Sequence, residues 1–225
     1  MARKRREIRG VELERDATYT GISAEHVTVT DCWSDWGPAD TARPRFRDIS
    51  IKDLRLRDVA LNGAVLKDVT IDGLDADGQS MLFDALQLEH VTLRGPVTTA
   101  IFNPRHPSRE YDDEYVRVIR EHEERVDWTL DISGVIGMIE VRGHDAERII
   151  RNPVDHALVR RADIQDGRWR KLDLGRSGFG VTLEMFWEQG WDNTILCADQ
   201  NRAETYESSL RVLDMLRVEG IADQE

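Results

Sequence analysis

Apolar residues recur along positions 46–75 at a spacing that neither an α-helix nor a simple strand produces. Taken in fives, the run reads FRDIS, IKDLR, LRDVA, LNGAV, LKDVT and IDGLD. The first place is always apolar (Phe46, Ile51, Leu56, Leu61, Leu66, Ile71), and so is the fourth (Ile49, Leu54, Val59, Ala64, Val69, Leu74). The third is Asp48, Asp53, Asp58, Gly63, Asp68 or Gly73. A helix repeats every 3.6 residues and a strand alternates every two, so neither keeps places one and four inside for six units. A chain that runs flat and then turns, every five residues, does. Gly suits the turn because it tolerates unusual backbone angles, and Asp because its side chain can bond its own backbone. The pattern predicts a mainly β solenoid.

The template recurs outside the run. Upstream are IRGVE (8–12), YTGIS (19–23), AEHVT (24–28) and VTDCW (29–33); downstream are LEHVT (88–92), LRGPV (93–97) and ISGVI (132–136). Two stretches interrupt it. One is SDWGPADTARPR (34–45), whose Pro, Gly and Asp predict a loop, and the other is 76–87. Over roughly 8–100, and again over 128–143, these units resemble the pentapeptide-repeat family. The resemblance implies a right-handed four-sided β-helix with one repeat per side. Aligning Ile51, Leu56, Leu61 and Leu66 with the family's central residue puts Ile49, Leu54, Val59 and Ala64 in a slot the family keeps small. The slot between holds Ser50, Arg55, Ala60 and Val65, with no acid. A wider or less regular coil is expected.

Beyond the repeats the periodicity becomes helical. SREYDDEYVRVIREHEERV (108–126) predicts a helix capped by Ser108, with Tyr115, Ile119, His122 and Val126 on one face. WTLDISGVIGMIEVRG (128–143) predicts strand, DAERIIRN a short helix, HALVRR and TILCA strands, and VTLEMFWEQG a helix ending at Gly190. The last helix, in 201–220, carries the stripe Tyr206, Leu210, Leu213 and Leu216 and stops at Gly220. The expected organisation is a solenoid over 1–143, with loop 34–45 and a helical insert at 104–127. A small α/β module over 144–225 would cap the open sheet edge.

Charge qualifies this picture. The chain of 225 residues has a net charge of −12, which excludes a general phosphate-neutralising surface, so no direct nucleic-acid binding is expected. The acid excess sits late: from Glu184 onward there are ten acids and three bases, whereas the run 46–75 is almost neutral. The basic start MARKRRE is followed by no apolar stretch, so neither a signal peptide nor a membrane span is read. Two cysteines, Cys32 and Cys197, fit a reducing cytoplasm better than a disulfide scaffold.

The candidate chemistry is sparse. His26 and His90 hold the same place in matching units, where they either fill corners or form a paired-histidine site. Glu110, Asp112, Asp113, Glu114, His122 and Glu124 form an acidic stretch, but helical spacing sets Asp113 and Glu114 over two turns from His122. GRSGFG (175–180) precedes a helix yet lacks both dinucleotide-binding spacing and a phosphate-loop lysine. Trp187 and Trp191 flank a helix end, and the cysteines fall in apolar runs that fit core packing. No cofactor or metal is expected.

Trp33 and Trp36 flank the first loop, and tryptophan is enriched where proteins meet. The expectation is therefore a non-enzymatic binding or scaffold protein with a protein partner, which Trp33, Trp36, Asp112, Asp113 and Glu114 would contact. Homodimerisation is left open. The family resemblance adds one alternative, a B-DNA mimic that binds a type II topoisomerase. Another is an enzyme whose site lies in the cleft between solenoid and C-terminal module.

Overall fold

The computed structural model describes residues 5–34, 37–39 and 43–224. Its strands are β1 (Arg6–Arg9), β2 (Glu12–Leu13), β3 (Thr18–Thr20), β4 (Ser23–Ser34), β5 (Arg45–Ala60), β6 (Val65–Asp75), β7 (Met81–Asp84), β8 (Gln87–Asn103), β9 (Leu130–Asp131), β10 (Val135–Arg142), β11 (Ile149–Ile150), β12 (His156–Arg160) and β13 (Asn193–Cys197). The helices are α1 (Asp112–Glu123), α2 (Arg161–Ile164), α3 (Phe179–Gln189) and α4 (Ala203–Val218). The protein is mainly β, with one large mixed sheet whose main path runs β1-β4-β5-β6-β8-β10-β13-β12.

The third place of each unit has a backbone reason. Asp48, Asp53, Asp58 and Asp68 have φ of 52°, 57°, 50° and 54°, and Gly63 and Gly73 of 72° and 87°. His26, Asp31, Ala85 and His90 are left-handed as well. Such a conformation costs an L-residue roughly 1–2 kcal/mol, least where a short polar side chain bonds locally. The five-residue period is thus a period of bends within otherwise extended chain.

Register follows from the same count. Between β5 and β6 the partners include Phe46↔Leu66, Ile51↔Ile71 and Leu54↔Leu74, an advance of twenty residues that sets each apolar place beside its equivalent. Between β4 and β5 the advance is 27, as in Val27↔Leu54, and the intervening chain includes the 34–45 break. Ion pairs sit on the same register: Arg55 Nε donates to Asp75 Oδ2 at 2.7 Å, Lys67 Nζ to Glu89 Oε1 at 2.6 Å, and Arg94 lies 3.3 Å from Asp72. Exposed pairs add little stability, but a slip would set like charges opposite, so they support the register that the core requires.

The parallel strands enclose a core that includes Leu54, Leu66, Val69, Leu88, Val91, Leu130 and Ile139. β13 then pairs antiparallel with β10 and β12, so the C-terminal segment joins the same sheet. A second core, including Trp169, Phe179, Phe186, Leu196 and Leu213, packs α3 and α4 on β12 and β13. Near the C-terminus Asp223 binds it shut: its carboxylate accepts from Leu158 N and Arg151, and its own N–H donates to Leu158 O.

Several expectations are corrected. α1 begins at Asp112 with Tyr111 as cap and no side-chain cap, so Ser108 does not start it. DAERIIRN forms a 3-10 turn at Ala146–Arg148 and the short strand β11, because Ile149 and Ile150 pair with β9. The 76–87 break contains β7, which pairs in parallel with β8. In ISGVI the left-handed residue is not Gly134. The positive φ falls one residue after that unit, at Gly137 (φ 147°), at a register shift between β10 and β8, where a Cβ would lie 1.9 Å from Val97 O.

Candidate partner-binding face

Outward positions at the ends of β4 and β5 build the best candidate surface. Trp33 is the register partner of Ala60, a neighbour too small to cover an indole, and Trp33 is 47% exposed. Ser34, which follows it, is buried, and its Oγ donates to Asn62 O at 2.8 Å. That bond pins the end of β4 and so fixes the indole's base. Beside Ala60 lies a groove of about 310 Å³, lined by residues including Asp58, Asn62, Asp77, Ser80 and Leu82. Leu82 is 48% exposed. Arg57 and Asp77 pair at 3.2 Å along the groove. The face therefore combines two exposed apolar side chains with a polar rim on hydrogen-bonded strands. Leu82 and Ser34 were not singled out from sequence; the only signal was the short alternation Met81–Leu82–Phe83 inside an apparent break.

Trp36 lies outside the described residues. The loop around it meets α1: Tyr115 Oη donates to Gly37 O at 3.1 Å, and Ala39 packs with Ala85 and Tyr115. The same phenol occupies the space over Gly63, where a Cβ would come within 2.6 Å of it. The two candidate segments, far apart in sequence, thus share one seam. Asp112 is spent inside it, accepting from Arg105 Nη1 at 2.6 Å and from His106 N at 3.0 Å. Asp113 is exposed, and Glu114 is half-buried with its charge felt by Arg43 and Tyr115.

The histidines are kept apart. His26 is in register with Asp53 and donates Nδ1–H to it at 2.6 Å. Burial pushes the Asp53 carboxyl up, but hydrogen bonds from His26 and Arg5 outweigh it and hold the group below its usual range. His90 bonds Asp127 at 2.8 Å and Asp68 at 3.0 Å and packs on Trp128. Each fills a left-handed corner beside a carboxylate, and the two lie in different register columns, so no paired-histidine site forms. His122 contacts Leu88 O and Gln87, and burial pulls its imidazole below the ordinary value.

A cleft of about 310 Å³ does join α1 to the C-terminal segment, through Arg120, Glu123, Glu124, Gly143, Asp145, Asp192 and Asn193. Three of its charged groups are engaged in structure: Glu123 accepts from His144 Nδ1 at 2.7 Å and from Asp145 N at 3.1 Å, and Arg120 pairs with Asp192 at 2.7 Å. Among the described residues no group of three or more His, Cys, Asp or Glu is placed to hold a metal ion. The 175–180 loop is closed by Ser177, which accepts from Phe179 N and donates to Leu174 O. Trp191 is buried, and Trp187 lies against the Arg161 guanidinium, 4.9 Å from the ring centre. Both cysteines are buried and free. No helix among the described residues is long and apolar enough to cross a membrane.

Compared with protein-family models, curated proteins and solved structures, the chain matches none of them.

Proposed function

We propose that the chain is a non-enzymatic binding or scaffold protein that presents the Trp33–Leu82 face to a protein partner. On this reading its parallel strands wind as a right-handed four-sided β-helix, the architecture that the pentapeptide-repeat resemblance implies. Support for the winding comes from left-handed residues five apart and from the advance of twenty residues, four bends, between β5 and β6.

The observation that carries the binding role is the exposed Trp33 indole on a pinned strand end, next to Ala60 and the polar-rimmed groove that Ala60 and Leu82 line. Aromatic anchors of this kind dominate protein interfaces. The paired charges weigh against the DNA-mimic alternative, because Arg55–Asp75, Lys67–Glu89 and Arg94–Asp72 cancel charge between neighbouring strands. A DNA mimic needs an unbroken acidic strip. In the α1 cleft Glu123 and Asp192 are likewise paired, which disfavours catalysis by them.

The test is co-purification from the source cell with wild-type chain and with Trp33→Ala. The expected result is one partner whose affinity falls about thirtyfold or more, the size of an interface hot spot, while the melting temperature is unchanged. Undiminished capture by the variant would refute the assignment. A supercoiling assay separates the alternative: a large molar excess should leave a type II topoisomerase uninhibited.

A further inference from the structure

The first strands enclose a cavity of about 280 Å³ whose wall is almost wholly hydrocarbon. It is built from repeat positions that should be filled: Val29 from β4, Ile51 from β5 and Ile71 from β6 line it and remain only half-buried. Ile8 and Ile22, which also line it, are 41% and 40% exposed. Phe83, stacked on Phe102 at 4.9 Å, lies among the lining residues farthest along the chain. Two features leave this space open. The opening strands β1, β2 and β3 are only four, two and three residues long and supply few side chains. Ile49, Leu54 and Val59, the fourth-place residues of the repeat in β5, stand in its wall and do not close it.

The dimensions define what fits. β1, β4, β5 and β6 are successive neighbours, and at ~4.8 Å between strands the cavity spans about 14 Å. A cavity of ~150 Å³ takes benzene, so this one holds roughly ten to twelve non-hydrogen atoms. A single alkyl chain meets both limits. Arg6 is the one charged side chain in the lining; it is exposed and makes no ion pair among the described residues. An apolar space with one cation beside it is complementary to an anionic amphiphile.

We propose that this cavity binds a medium-chain carboxylate, with its chain among the inward residues and its head on Arg6. This inference is independent of the partner-binding role.

Calorimetric titration of the full chain with octanoate, decanoate and dodecanoate below their micelle concentrations tests it, with decanol and decyltrimethylammonium as head-group controls. Saturable binding at one ligand per chain is expected. Affinity should rise about fourfold per methylene, from ~0.8 kcal/mol for each CH₂ buried, until the cavity is full, and then level off. Arg6→Gln should weaken decanoate by about three- to fivefold, as for an exposed ion pair, and leave decanol unchanged. Ala24→Phe, inside the wall, should abolish binding of both. Ile22→Trp, at an exposed position that tolerates bulk even where the interior variant misfolds, should do the same by blocking entry. The proposal is overturned by absence of saturable binding, by affinity independent of chain length, or by affinity unaltered in the folded lining variants. It is overturned equally if light scattering shows a dimer that binds no decanoate, because a second copy would then cover the opening.

Discussion

Acidifying the protein from pH 7 to pH 4 tests the burial of β12 through one residue. His156 begins β12, is 1% exposed, and its Nδ1 accepts the Asn152 N–H at 3.2 Å. Burial, only partly offset by Asp155, brings the imidazole down from 6.5 to about 4. Between those values the unfolded chain binds a proton there and the folded chain does not. The stability present above about 6.5 is therefore withdrawn as the pH falls through the window. Each pH unit removes about 1.4 kcal/mol, so His156 accounts for about 3 kcal/mol by pH 4, out of the roughly 5–15 kcal/mol typical of a domain. His90 has the opposite sign: its bonds to Asp127 and Asp68 raise it, so its contribution is full below 6.5 and is lost as the pH rises through the raised value. The wild-type profile mixes these with His106 and His122, which burial also lowers, and a difference curve isolates His156. His156→Asn keeps an acceptor for Asn152 N and does not titrate. Urea midpoints for both chains, at half-unit steps from pH 4 to pH 8, should diverge below pH 6.5, with wild type losing stability faster. Parallel profiles, or a His156 proton resonance titrating near 6.5, would refute the burial argument.

The other predictions concern the sheet and the thiols. Gly137→Ala should cost upwards of about 4 kcal/mol, because its Cβ would sit 1.9 Å from a backbone oxygen of the neighbouring strand; a thermal melt within a few degrees of wild type would contradict the register shift. Burial pushes the Cys197 thiol up to about 12, and Cys32 is also buried. Neither should react with a thiol reagent at pH 8 until denaturant is added, and native-state labelling at the denatured rate would count against both placements.

Much of this fold was written in the sequence because its bends are local. A left-handed residue every five positions favours Asp, Gly or His at that place, and the backbone bends at Asp48, Asp53, Asp58, Gly63, Asp68 and Gly73, where the pattern puts them. The helices α3 and α4 were legible for the same kind of reason: an apolar stripe and a terminal glycine act within a few residues. What the chain could not disclose depends on which strand lies beside which. The Arg55–Asp75 pair exists only because the strands advance by twenty residues. Trp33 is exposed because its cross-strand neighbour is Ala60, and Leu82 reaches the groove beside Ala60 from an apparent break in the repeat. The apolar cavity is further still from the sequence, since void space belongs to no residue. Local backbone preference sets where this chain turns, while the stacking of distant turns decides what is covered, what is paired and what is left open.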